Sequence, residues 1–350
     1  MSRPVLIAIA IWLAAAVLLV VGGATGIFTH LPNAYLCGWL VLVSLPLGAL
    51  PVLMALELTG ARDAGLAAPL RLILACLPIL ALLFVPLLIN LRGAYTWQAC
   101  VLSHCPTQHY EGLGARWFTP GFFALRRVGY LVVWIALSLY FLRPALTTPS
   151  RRALAAIGLM LHLVLGSLAA FDWFMSLDEG LVSSNYGVLV MAAQCAFAVT
   201  TALLMSLSGS RTTPDRNLVL ALLVVIGVAA FAQFVEYLVV WSANLPKEIA
   251  WYQERATGGR LFAVVAPLLL LCGAVILMPR RLGSNRMVVG LALGAFCLVE
   301  VIDIVLLASP NGLFAPGLVP DLLMIVVLGG VAVVFASILG GRARHTVWHG

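Results

Sequence analysis

Four acidic residues stand where the rest of this chain is oily. Asp172 falls in the run Phe171-Asp172-Trp173-Phe174-Met175-Ser176-Leu177-Asp178, and Glu236 lies beside Tyr237, one turn from Gln233. Glu300 and Asp303 are three residues apart, which puts them on one face of a helix. His162 precedes Asp172 by about three turns. A charge at mid-depth in a bilayer costs about 2.5–3.5 kcal/mol on insertion scales, so acids there need a reason. One reason is proton chemistry. Carboxyls grouped in low dielectric do not all ionise, and the protonated ones can hand protons on. The functional reading is a proton half-channel opening to the outer face through Asp172, Glu236, Glu300 and Asp303, with His162 extending it inward. The competing structural reading is that Arg126, Arg127, Arg260 or free helix ends satisfy these acids. Arg126 and Arg127 enter their helix from that same side. A single buried histidine is more often a packing residue than a proton carrier. Glu57, near an inner helix end, reads as a snorkelling interfacial carboxylate.

Apolar runs position these residues. Of 350 residues, 63% are hydrophobic and 9% are charged, and the mean hydropathy is +1.09. A hydrocarbon core of about 30 Å is crossed by about 20 residues rising 1.5 Å each. Backbone in lipid must bond to itself, so each long run reads as an α-helix. Ten segments are predicted, at 5–28, 33–58, 68–90, 121–142, 151–171, 185–207, 216–243, 258–278, 285–306 and 319–340. The seventh is longer than a bilayer needs and is expected to tilt or project. The alternating ten-residue strands of a membrane β-barrel are missing from the pattern. The fold class is therefore all-α and polytopic. The whole of 1–350 forms one integral membrane domain, with no intervening segment long enough to fold alone.

Arginine placement orients the chain. With the N-terminus in the cytoplasm, 13 of the 20 Lys and Arg residues fall in inner segments and 7 in outer ones. The outer ones sit in or beside the two long loops, where the charge rule is weaker, and the three short outer loops carry none. Both termini are thus expected in the cytoplasm. The formal charge of +7 reflects this bias and does not point to nucleic acid. Met1-Ser2-Arg3 precedes an apolar run too long for a signal peptide, so the first helix is expected to be retained.

Five of the 7 cysteines (Cys37, Cys76, Cys195, Cys272, Cys297) fall inside helices and read as small apolar fillers. Cys100 and Cys105 share the first outer loop. A disulfide between them is one reading, and a zinc site with His104 and His109 is the other, though its spacing fits no usual zinc pattern. Bis-histidine haem ligation needs paired histidines at matching depth. Only His162 is deep; His30, His104 and His109 are outer, and His345 and His349 lie in the tail. Covalent-haem, iron–sulfur, Walker and dinucleotide motifs are missing as well. No cofactor or metal is therefore expected within this chain, and any electron carriers would belong to partners.

The two longest interhelical segments, about 91–120 and 244–258, resemble each other. One follows Leu88-Ile89-Asn90-Leu91 and carries Tyr95 and Trp97; the other follows Ser242-Ala243-Asn244-Leu245 and carries Trp251 and Tyr252. They lie four helices apart. This predicts two four-helix bundles, helices 2–5 over about 33–171 and helices 6–9 over about 185–306, with helices 1 and 10 flanking. Gly22/Gly26 and Gly290/Gly294 have the small-xxx-small spacing of close helix packing.

Phe171-Asp172-Trp173-Phe174-Met175-Ser176-Leu177 resembles the FDW-x-MSL signature of the F-type membrane subunit of alternative complex III, a bacterial quinol:electron-acceptor oxidoreductase. That subunit is related to the NrfD-like polysulfide-reductase membrane anchors. Ser184-Asn185-Tyr186-Gly187-Val188 is similar to the family's start of the next helix. The stretch from Trp241 through Ala243-Asn244-Leu245-Pro246 to Trp251-Tyr252 is similar to its W-x-ANLP-E-I-x-WY loop. Phe118-Thr119-Pro120-Gly121-Phe122-Phe123 with Arg126 is similar to its start of the fourth helix. The resemblance spans about 80–307. It implies ten helices in two bundles plus two flanking helices, and no cofactor in this subunit. It also implies contact with quinol, for which Trp173 and Trp241 are the candidate aromatic residues, contact with lipids, and a place in the bacterial inner membrane. The implied partners are an NrfD-like sister subunit, an iron–sulfur protein, haem c proteins that carry the redox centres in the periplasm, and in some assemblies a terminal oxidase. The Cys100–Cys105 stretch departs from the family pattern.

Three functions compete. The first is a non-redox membrane subunit of a quinol-oxidising complex whose carboxyls guide protons. The second is a secondary transporter, which would show helices broken at mid-depth around a substrate; Pro78 and Pro267 are the clearest interior prolines for that. The third is an anchor that only docks periplasmic redox partners.

Overall fold

The computed structural model of the protein describes residues 3–28, 31–61, 66–89, 95, 116–143, 148–177, 183–209, 216–246, 249, 253, 285–308 and 318–347. Among these residues there is no strand, and nine helical spans are long and apolar enough to cross a membrane. The chain is an all-α polytopic membrane protein. Its spans are α1 (Arg3–Ala24), α2 (Leu31–Thr59), α3 (Ala67–Ile89), α4 (Pro120–Phe141), α5 (Pro149–Trp173), α6 (Tyr186–Gly209), α7 (Arg216–Ala243), α8 (Arg286–Ala308) and α9 (Leu318–Val347). The segment expected at 258–278 lies outside the described residues.

Helix ends follow local chemistry. The first helix stops at Ala24, short of the expected 28, because Gly26 turns the chain at φ +73° and the Phe28 N–H donates back to the Gly22 carbonyl. α5 starts at Pro149, behind Thr148, whose hydroxyl accepts from the Arg151 N–H at 3.2 Å. α9 continues to Val347, beyond the expected 340.

α3 departs most from expectation. The single run at 68–90 is three short helices, Ala67–Leu74, Leu77–Leu82 and Val85–Ile89. Each break falls two to three residues before a proline, Pro78 and Pro86, neither of which can donate to the preceding turn. Carbonyls freed in lipid must find donors. α2 supplies them: Trp39 Nε1 donates to Leu80 O at 2.7 Å and Tyr35 Oη to Leu83 O at 2.7 Å.

α2 is the most buried span and α1 the least. α2 packs most extensively on α6 and α9, and also on α5 and α3. The α2–α6 approach depends on Gly48, where a Cβ would lie 1.8 Å from the Gln194 carbonyl oxygen. α1 packs against α9, where Trp12 Nε1 donates to Val327 O at 2.9 Å. The glycine pairs singled out in the sequence do not make such approaches among the described residues. A Cβ at Gly26, Gly290 or Gly294 would meet nothing within 4 Å, and Gly22 faces only Phe28 of its own turn. Spacing alone does not fix which glycine meets a neighbouring helix.

Candidate functional site

The four carboxyls separate into two places. Asp172, at the end of α5, is fully buried against α4. Arg126 and Tyr130 are four residues apart on α4 and so share a face towards it. Asp172 Oδ1 accepts from Arg126 Nη2 at 2.8 Å and Trp117 Nε1 at 3.0 Å. Its Oδ2 accepts from Arg126 Nε at 3.0 Å and Tyr130 Oη at 3.0 Å. Four donors thus occupy the roughly four lone-pair sites a carboxylate has. The Arg126 guanidinium also lies 3.9 Å from the Trp117 ring centroid and donates to Trp117 O at 2.7 Å. This is a charge-assisted fork with no acceptor site left for a travelling proton. Asp172 is therefore a buried ion-pair partner of Arg126, the arrangement the competing reading expected.

The same corner closes the C-terminal end of α5. The Asp172 carbonyl accepts from Arg127 Nη2 at 2.8 Å and from Ser176 Oγ at 2.7 Å. The Trp173 carbonyl accepts from Tyr95 Oη at 3.3 Å. A cation at a helix C-terminus is favourable on dipole grounds. Arg127 is fully buried, with its guanidinium 3.7 Å from the Phe123 ring centroid and 4.3 Å from that of Tyr95. Burial raises the Tyr95 phenol above its ordinary pKa, while the Arg127 charge pulls it down.

At the other end of α5, Arg151 Nε lies 3.1 Å from Glu57 Oε1 of α2, both side chains buried. Arg151 Nη2 also donates to Arg143 O at 3.0 Å. Glu57 is thus an interior ion-pair partner and not the snorkelling residue expected. Its position near a helix end suggested the interface, but its face points at α5.

Between these pairs runs a column of rings. Trp173 is 1% exposed, with its ring centroid 5.0 Å from Trp39 and 5.6 Å from Trp134; Trp134 lies 5.9 Å from His162. The cavity beside Trp173 and Trp134 holds about 10 Å³. Small-molecule pockets run to about 300 Å³ and more, so a quinone ring has no room there. Trp173 is a core residue. Trp241 is 67% exposed at the end of α7. Both nitrogens of His162 are buried without a hydrogen-bond partner among the described residues. Between Asp172 and His162 lie the rings of Trp173 and Trp134.

The second place joins α6, α7 and α8. Ser183, just before α6, donates to Glu236 Oε2 at 2.5 Å. Asn185 Nδ2 donates to Ala232 O at 3.3 Å, tying the same linker to α7 one turn earlier. Gln233 Nε2 of α7 donates to Asp303 Oδ2 of α8 at 3.3 Å. Glu300 is buried one turn before Asp303. Among the described residues neither Glu300 nor Asp303 forms an ion pair. Glu300 and Asp303 lie one turn apart on α8, tied to α7 through Gln233, whereas Glu236 is held by Ser183 and Asp172 lies apart from all three.

Several residues here were not singled out from sequence. Trp117, Tyr130 and Ser183 supply donors to the acids. The Arg126/Tyr130 spacing was a usable signal for one face; nothing marked Ser183. Asp321, in the first turn of α9, is a further buried acid at 4% exposure. Its place directly after Pro320 is a helix-start signal. Cys37, Cys76, Cys195 and Cys297 are free thiols, consistent with filler roles. Cys100, Cys105, Cys272, His104, His109 and Arg260 lie outside the described residues. No group of three metal-ligating side chains occurs among the described residues. Compared with models of known protein families, the chain matches none, and it matches no curated protein sequence.

Proposed function

We propose that this chain is a non-redox integral subunit of a bacterial quinol-oxidising complex of the alternative complex III type. In this reading it lies in the inner membrane with both termini cytoplasmic. It handles protons at Glu300 and Asp303 of α8, with Glu236 a further candidate on α7. The observation that carries the proton role is the contrast between two sets of acids. Asp172 and Glu57 each meet a guanidinium. Asp303 instead meets the neutral amide of Gln233, one turn from buried Glu300. Low dielectric favours the protonated form of a carboxyl whose partners are neutral, and such a group has a proton to hand on, whereas one in a fork with arginine stays ionised. The family part of the proposal rests on the FDW-x-MSL and ANLP stretches.

The transporter reading relied on a broken helix, and α3 is one. Its freed carbonyls are taken up by Trp39 and Tyr35 of α2, so they are not offered to a substrate. That favours the subunit reading. In this reading the chain binds no redox cofactor. Its partners are an NrfD-like sister subunit, an iron–sulfur protein and haem c proteins, with lipids around them.

Purification of the tagged chain from its native membrane in mild detergent tests the assignment. Co-purifying covalent haem and an iron–sulfur protein is the expected outcome. A homogeneous chain on its own, active in solute uptake, overturns it.

A further inference from the structure

The core of the first set of helices contains polar hydrogens with no acceptor among the described residues. Trp134 of α4 is fully buried and Trp173 at the end of α5 is 1% exposed, and the indole Nε1 of each has no acceptor among the described residues. Buried N–H groups are rarely left unpaired, and ordered water is the usual partner when protein is not. Both indoles line the same cavity, with the Gln194 side chain of α6 on its wall. Gln194 is itself buried and donates through Nε2 to Ser44 Oγ of α2 at 3.3 Å, which leaves its carbonyl end as an acceptor for another group. The cavity volume of about 10 Å³ corresponds to about one water.

We infer that this cavity is a binding site for a single water molecule, which accepts from the Trp173 or Trp134 indole and donates to Gln194. The ligand class follows from the walls. An apolar guest would leave the indole hydrogens unpaired, and a larger polar one does not fit. Ser44, Gln194 and the water then form a short polar chain. It runs from α2 through α6 to the ring column, at the same α2–α6 seam where Gly48 meets the Gln194 backbone. This inference does not depend on the proposed family or on proton handling.

Ultraviolet resonance Raman spectroscopy of the purified chain reads the hydrogen bonding of indole N–H groups. Difference spectra of wild type against Trp173→Phe and Trp134→Phe isolate the two rings. A hydrogen-bonded indole in at least one difference spectrum is expected. Ala170→Val, whose added methyls project from a wall of the cavity, should return that band to its free position. Free indoles at both positions in wild type overturn the inference. So does a hydrogen-bonded band that Ala170→Val leaves unchanged. Should that variant not fold, a density map of the wild-type chain decides: a peak within hydrogen-bonding distance of either Nε1 supports the site, and an empty cavity overturns it.

Discussion

Arg151 and Asp172 stand at opposite ends of α5, and each forms a buried ion pair with a different helix. They are 21 residues apart (172 − 151), which at 1.5 Å per residue is about 31 Å. That is about the thickness of a hydrocarbon core. Glu57 of α2 holds one end of the helix and Arg126 of α4 the other, and the rings of Trp173, Trp134 and His162 run from the Asp172 end to the middle of α5. Full charges thus sit at the two boundaries, where they cost least. The interior is left to groups without charge.

Removing one partner of a buried pair leaves the other charge uncompensated, a loss of about 3–5 kcal/mol. Asp172→Asn should therefore lower stability by about that much, read as unfolding free energy in mixed micelles. Arg126→Gln combined with Asp172→Asn should recover part of it. A strictly additive double-mutant cycle would show that the fork contributes no coupling.

The two ends should act independently. Tyr130→Phe removes one donor to the Asp172 carboxylate, a loss of about 1.5–3 kcal/mol for a hydrogen bond to a charged group. Glu57→Gln breaks the distant pair. With about 31 Å between them and no shared partner, the effects should add within about 0.5 kcal/mol. A larger discrepancy in the unfolding free energy of the double variant would mean that α5 transmits strain along its length.

Gly48→Ala should be among the most damaging single methyl additions. The new Cβ would meet backbone, the Gln194 carbonyl, and not a side chain that can swing away. α2 and α6 must then separate, at a cost of about 1–3 kcal/mol or more. Gly290→Ala meets nothing within 4 Å of described atoms and should change stability little. Comparing melting temperatures of the two variants in one detergent checks both statements. Equal shifts would mean that the α2–α6 seam tolerates expansion.

The helices were legible because lipid leaves the backbone few options: an apolar run of sufficient length becomes a helix whatever its neighbours do. α7 was predicted to the residue, and the ends of α4 and α5 within two. α3 was not, because the number and place of its breaks depend on whether a neighbour can take up the freed carbonyls. Trp39 and Tyr35 do so from a helix about 45 residues away in sequence. The acids were found by their cost in oil, but their sorting was not. Asp172 and Asp303 look alike in sequence. Which one meets an arginine and which a glutamine is decided by helix rotation, and hydropathy carries little record of that in helices apolar on nearly every side. Gly290 and Gly48 differ for the same reason.

The acids of α8 give the prediction that separates a proton-handling subunit from an anchor. Glu300→Gln and Asp303→Asn keep size and hydrogen-bonding shape, and among the described residues they leave no cation behind. Assembly should therefore persist, with partners co-purifying at wild-type ratios. Losing a group that must carry a proton should slow proton-coupled quinol oxidation by on the order of tenfold, which is about 1.4 kcal/mol of barrier. Asp172→Asn should do the reverse, lowering the yield of folded chain while leaving turnover per assembled complex near wild type. Proton release per quinol in proteoliposomes reads the difference. If both α8 variants match wild type there, Glu300 and Asp303 are packing residues, and the chain serves as an anchor.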